Sequence, residues 1–217
     1  MKVEKAKWSR WLPVLFLALV ALSRWPGLFP PSFSAVYALV FCAGVYFTGR
    51  LAWWLPLGTL LLTDIALNFY YWLHSGWDVW SASVLRYQLV NYAAYAVIIC
   101  LGRRFKPQSS FFSLLGGGLL GALLFYLITN TASWLFNPFA NPEYGNSFSS
   151  LLRALILGTG GWPQTWEFFR NTLLSGGLFT GLFVAAMKLT APAESPAEKT
   201  AGVREPENEP EPEEAKA

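Results

Sequence analysis

The residue of this chain best placed to do chemistry is an aspartate among leucines. Asp64 lies in the run Leu51–Trp72, LAWWLPLGTLLLTDIALNFYYW. An acidic side chain in such a run costs about 2.5–3.5 kcal/mol to insert into a bilayer, so it needs partners. Asn68, four residues on, shares its helix face. Further along, Gln88, Asn91 and Tyr95 fall on one face at i, i+3 and i+7. The motif LITNTASW brings Thr129, Asn130, Thr131, Ser133 and Trp134, and the last apolar run opens with Glu167, Arg170, Asn171 and Thr172. These residue types could bind a small polar molecule. A carboxylate would hold a cationic or hydrogen-bonding group, the amides of Asn91, Asn130 and Asn171 would add hydrogen bonds, and Trp134 or Trp162 would supply an apolar wall.

The same residues have plainer readings. Asp64 could pair with Arg170 or a buried amide to fix helix packing. Each asparagine could make an interhelical hydrogen bond of about 0.6 kcal/mol. Glu167 and Arg170 could pair with each other at the membrane edge. His74 reads as an exposed loop residue. Cys42 and Cys100, each inside an apolar run, read as buried structural thiols.

The elements that must position these residues are membrane spans. Of 217 residues 54% are hydrophobic and only 13% charged, a balance that excludes an ordinary soluble domain and predicts an all-α polytopic membrane protein. Six spans are expected, at about 11–23, 33–47, 51–72, 85–101, 111–136 and 168–189. The connection Arg24–Ser32, RWPGLFPPS, is too rich in proline to continue a helix. Asn137–Thr165 is too long for a simple turn, and within it Phe148–Leu157 reads as a short helix lying in the interface. Residues 1–190 form the membrane domain, and 191–217, rich in Glu, Pro and Ala, read as a disordered acidic cytoplasmic tail.

Lys and Arg set the orientation. Lys2, Lys5, Lys7, Arg10, Arg50, Arg103, Arg104, Lys106 and Lys188 fall on one side of a six-span chain, against Arg24, Arg86, Arg153 and Arg170 on the other. Both termini are therefore expected in the cytoplasm, in an inner (plasma) membrane. Asp64 then lies about 6 Å beyond its span's midpoint toward the exterior, and the polar residues of the other spans fall in the outer half too. Gly117, Gly121, Gly177 and Gly181, spaced four apart, allow close helix approach further in. Helices pinched together on the inside and polar on the outside predict an outward pocket beneath the Asn137–Thr165 loop.

No P-loop, G-x-S-x-G, H-E-x-x-H or cysteine-pair motif is present. Neither an enzyme, a cofactor or metal site, nor a nucleic-acid partner is expected.

The stretches LFPPSFSAVYALVFCAGVYF, LPLGTLLLTDIALNF, LITNTASW and WEFFRNTLLSGGLFTGLF resemble a family of small multi-pass bacterial membrane proteins, themselves uncharacterised, described as transport proteins. Phe33, Gly44, Asp64, Thr129, Asn130, Trp134 and Asn171 occupy the matching positions. The family pattern carries a His after the proline where this chain reads Trp25-Pro26-Gly27. More loosely, six spans, both ends inside and an outward pocket are similar to the S-components of energy-coupling-factor (ECF) vitamin transporters. That resemblance implies an S-component-like bundle and docking on a partner through an Ala-x-x-x-Ala face, where this chain has Ala18 and Ala21, three apart. The expectation is a substrate-binding membrane subunit for uptake of a vitamin- or metabolite-like molecule. Its site would be Asp64, Asn68, Asn91, Asn130, Trp134, Arg170 and Asn171, with the lipid bilayer and a separate energising module as partners. The alternative is a structural or assembly protein whose polar residues only hold helices together.

Overall fold

Serine hydroxyls start three of the helices. In the computed structural model, which describes residue 14 and residues 17–190, Ser81, Ser110 and Ser147 each precede a helix. Each hydroxyl accepts from the backbone N–H three residues on, at 3.5 Å (Val84), 3.1 Å (Ser113) and 3.2 Å (Ser150). Such caps satisfy N–H groups that a helix's first turn leaves without partners. The ends are set as locally: Gly76 and Asn137 take left-handed conformations (φ 64° and 37°) after the third and fifth helices.

Residues 17–23 are helical (α1). The others are α2 (Val36–Tyr46), α3 (Leu51–Ser75), α4 (Ala82–Gly102), α5 (Phe111–Phe136), α6 (Phe148–Ile156) and α7 (Thr165–Thr190). No strand occurs among the described residues. Four helices, α3, α4, α5 and α7, are long and apolar enough to cross a membrane. With 25, 21, 26 and 26 residues, they rise about 32–39 Å.

α2 is the hub. Every residue from Val36 to Val45 is buried, and α3, α4, α5 and α7 all pack on it. A helix apolar on all sides has no face for water and belongs inside a bundle. Its 11 residues, inside the span expected at 33–47, rise only about 16 Å, too little to cross a bilayer alone. The surrounding helices run antiparallel to their chain neighbours. Asp64 and Asn68 of α3 meet Tyr92 and Gln88 of α4, and Gly118 and Ala122 of α5 meet Thr180 and Gly176 of α7.

The tightest approach joins α2 to α4. A Cβ on Gly44 would lie 2.3 Å from the Ile99 carbonyl oxygen, and one on Gly102 would lie 2.2 Å from that of Phe41. The two backbones touch because neither glycine has a side chain. Between α5 and its neighbours, Gly117 faces the Phe41 and Phe105 rings, Gly118 faces Thr180 and Gly121 faces Ile98, all with less than 3.0 Å for an added Cβ. Of the glycines expected to pinch helices, Gly117 and Gly121 do so. Gly177 and Gly181 sit more loosely, and Gly176 makes the close contact instead, where an added Cβ would lie 2.8 Å from that of Ala122.

Several boundaries differ from expectation. α7 starts at Thr165 rather than 168, and α4 starts at Ala82, just after its serine cap, rather than at 85. α3 continues to Ser75, so His74 stands on its last turn, exposed and stacked on Tyr70 at 4.5 Å, not in a loop. Cys42 is buried, whereas Cys100 is exposed: it lies on the outward side of α4, so only one thiol is a core residue. The short helix expected at 148–157 is α6. The start of the first expected span and the acidic tail at 191–217 lie outside the described residues.

Candidate functional site

The alternation of helix direction carries the second half of α3, the first half of α4, the last turns of α5 and the first turns of α7 to one end of the bundle. Arg50, Arg103, Arg104, Lys106 and Lys188 lie at the opposite end, where the Lys188 ammonium donates to the Ser109 carbonyl at 2.7 Å. The polar end is closed by the proline-rich connection 24–35. Its far end is tied to α1: the Ser23 hydroxyl accepts from Ala35 N–H at 3.0 Å and lies 3.2 Å from that of Ser34. Its carbonyls are taken by helices below, Pro31 by the Asn171 amide at 3.0 Å and Ser32 by the Tyr37 hydroxyl at 3.4 Å. Trp25 packs on Tyr70 of α3, and Phe29 on Phe33, which meets Phe179 of α7.

From that connection Arg24 reaches α3 and forms a short ion pair with Asp64, its Nη2 donating to Oδ1. The other carboxylate oxygen, Oδ2, accepts from the Tyr92 hydroxyl of α4 at 2.8 Å. Both charged side chains are mostly enclosed, at 14% and 16% exposure. One turn along, the Gln88 amide donates to Asn68 Oδ1 at 3.0 Å, and Asn68 is 8% exposed. An ionised pair taken from water costs several kcal/mol per ion unless each charge finds its opposite and further hydrogen bonds. The carboxylate has both. The guanidinium is less complete: its Nη1 is buried and has no hydrogen-bond partner among the described residues.

The other expected site residues are distributed differently. Asn130 donates to the Tyr126 carbonyl of its own helix at 2.9 Å. Asn91 is half-buried and makes no side-chain hydrogen bond among the described residues. Trp134 is engaged by the α5–α7 connection, its indole N–H donating to the Gly145 carbonyl at 2.8 Å and to Ser150 Oγ at 3.1 Å. Arg170 is exposed and lies over the Trp166 ring at 5.3 Å, so it is not the partner of Asp64. Nor does it pair with Glu167, which accepts from Gln164 N–H at 3.2 Å. Asn171, though buried, is spent on Pro31.

The connection 137–164 is knit around two residues. Ser150 Oγ accepts from Gly145 N–H at 2.8 Å and from Trp134, and donates to the Glu143 carbonyl at 3.2 Å. The Glu143 carboxylate holds Arg153 at 3.0 Å and Gly160 N–H at 3.2 Å. Tyr126 of α5 ties the assembly down through a short hydrogen bond to the Leu155 carbonyl. Partial burial pushes the Tyr144 phenol above the usual tyrosine value, with the Glu143 charge adding to the shift and Arg153 opposing it.

A cleft of about 700 Å³ opens here, lined by Pro142, Glu143, Ser149, Arg153 and Leu157 among others. None of the seven expected site residues lines this cleft. Arg24, Tyr92 and Gln88 are the partners that sequence reasoning left out of the site. Among the described residues no three His, Cys, Asp or Glu side chains gather as a metal site requires.

No curated protein and no solved structure matches the chain. Residues 4–198 match a family of unknown function, DUF6580, and the chain belongs to that family.

Proposed function

We propose that this is a substrate-binding membrane subunit for uptake of a small molecule, and that the cluster of Arg24, Asp64 and Tyr92 with Asn68 and Gln88 is the heart of its site. The observation that carries the reading is the enclosed ion pair. Charged groups inside a bundle of membrane-length helices are expensive, and they commonly mark substrate or ion paths. In this reading Asp64 and Asn68 contact the substrate, while Trp134 and Arg170 shape the nearby connection. Six spans with both termini cytoplasmic follow if α1 crosses and α2 is extended by the residues flanking it. The basic end then faces the cytoplasm of a bacterial inner membrane, and the polar end faces out. The resemblance to S-components fits this arrangement, with a separate module supplying energy, since the chain holds no nucleotide-binding motif. Binding without catalysis is the chemistry proposed.

A second reading has its own support. Asn68, Asn171 and Trp134 all find partners within the protein, as struts in a structural or assembly protein would. Thermal unfolding of the purified chain in detergent against a panel of vitamins and metabolites separates the two, because a specific ligand stabilises the state it binds. Stabilisation by a defined compound, lost in Asp64→Asn, supports the binding subunit. A folded protein that no compound stabilises refutes it in favour of the strut.

A further inference from the structure

Hydrogen-bond accounting at the ion pair indicates what the ligand must carry. A guanidinium has five N–H donors and no acceptor; a carboxylate has about four acceptor positions and, when ionised, no donor. At this site Arg24 Nη2 meets Asp64 Oδ1, and Tyr92 meets Oδ2. Arg24 Nη1 is buried with no acceptor among the described residues. Its two N–H bonds call for an acceptor, best a charged and planar one that binds the guanidinium edge. The phenol nearest the pair does not supply it: the Tyr92 hydroxyl donates to Asp64, and Nη1 makes no bond to its oxygen.

Charge balance narrows the choice. The pair brings one positive and one negative charge into an enclosed place. A ligand with a single charge would leave the site charged, at a cost of several kcal/mol in a low-dielectric surrounding. A ligand carrying both signs leaves it neutral. Asp64 keeps unused lone pairs beside the two it has engaged, and they suit an ammonium.

Resting on the reading of this cluster as the substrate site, we propose that the substrate is a small zwitterion. Its carboxylate is anchored by Arg24 Nη1 and its cationic group lies against Asp64. The specificity-determining residue is then Arg24, and amino-acid-like or betaine-like molecules are the class it selects.

The test uses the full chain purified in detergent and three matched probe sets. These are the α-amino acids with glycine betaine, the corresponding α-amino amides, and the corresponding acids without the amino group. The result expected is stabilisation by at least one zwitterion, with its amide and its des-amino acid each binding about 10- to 100-fold more weakly. That is the span of a lost charge-assisted hydrogen bond. Arg24→Gln should erase the preference for acid over amide, and Arg24→Lys should restore part of it. The wild-type comparison stands on its own where a variant does not fold.

An amide that binds as tightly as its acid overturns the inference, as does stabilisation only by compounds without a carboxylate. In both cases the binding-subunit reading survives. A folded protein that no compound stabilises overturns both. Phosphatidylethanolamine head groups carry the same two charges, so a parallel arm adds that lipid. Stabilisation by the lipid with none by soluble zwitterions also overturns the proposal.

Discussion

Neutralising one member of the Arg24–Asp64 pair should cost more than neutralising both. Asp64→Asn keeps an oxygen for the Tyr92 hydroxyl but removes the negative charge facing a guanidinium whose Nη1 has no acceptor among the described residues. Arg24→Gln leaves a carboxylate held by Tyr92 alone. Breaking a buried pair by removing one partner costs about 3–5 kcal/mol. The residual exposure of 14% and 16% lets some solvent reach both groups, so about 2–4 kcal/mol is expected for each single variant. In Arg24→Gln/Asp64→Asn two neutral amides face each other and no charge is stranded, so the loss should fall to about 1–2 kcal/mol. The coupling is then about 2 kcal/mol or more, far outside the ~0.5 kcal/mol within which independent sites add. Unfolding in mixed micelles, or steric trapping in bicelles, measures all four corners of this cycle. Losses that simply add would refute the pairing, and with it the assignment of Arg24 to the site. Tyr92→Phe gives an internal scale, since losing one hydrogen bond to a charged acceptor costs about 1.5–3 kcal/mol.

Gly102→Ala and Gly44→Ala should each destabilise the protein by about 1–3 kcal/mol, because the new Cβ would sit 2.2–2.3 Å from a backbone oxygen; Gly58→Ala, which meets nothing within 4 Å, should be neutral or slightly stabilising, and the same unfolding assay ranks the three. Trp134→Phe removes the indole N–H that holds Gly145 and Ser150, so limited proteolysis should cut faster within residues 138–147 while the helical far-ultraviolet signal stays unchanged. The Tyr144 phenol, raised above the ordinary 10.0, favours the folded loop while neutral. That contribution is complete below about pH 10 and is lost as pH climbs through the raised value. Tyr144→Phe should abolish this alkaline loosening of the loop in hydrogen exchange.

How much of this architecture was legible depends on whether its cause is local. α5 begins and ends where the apolar run Phe111–Phe136 does, because a serine cap and an asparagine in a left-handed conformation bound it. α6 was visible for the same reason, with Ser147 before it and an apolar stripe along it. The run 33–47 was less legible: fifteen apolar residues are short for a span and read equally as a buried core helix. The partner of Asp64 was not legible. Arg24 and Arg170 fall on the same side of the chain by alternation, and nothing local chooses between them. The choice is tertiary: the connection 24–35 folds back over the bundle and delivers Arg24 to α3, while Arg170 turns onto Trp166. Gly102 was missed because a lone glycine at a helix end looks like a cap until Gly44 is seen against it.

The two ends of the bundle are held by different physics, and that difference bears on how a ligand could enter. At the basic end α2 and α4 touch backbone to backbone through Gly44 and Gly102. In lipid, where apolar transfer gives helices no drive to associate, such close packing is what holds them. Separating them there forfeits many short contacts at once. At the polar end α3 meets α4 through long side chains, Asp64 with Tyr92 and Asn68 with Gln88, and such groups can exchange one partner for water or a ligand without stranding a polar atom. Opening should therefore pivot about the glycine contact and widen the α3–α4 seam. Spin labels at positions 73 and 82, where α3 ends and α4 begins, should report a broader distance distribution than labels at 47 and 103. Equal widths at both ends would mean that the seam is as rigid as the hinge, and that a ligand reaches Arg24 by another route.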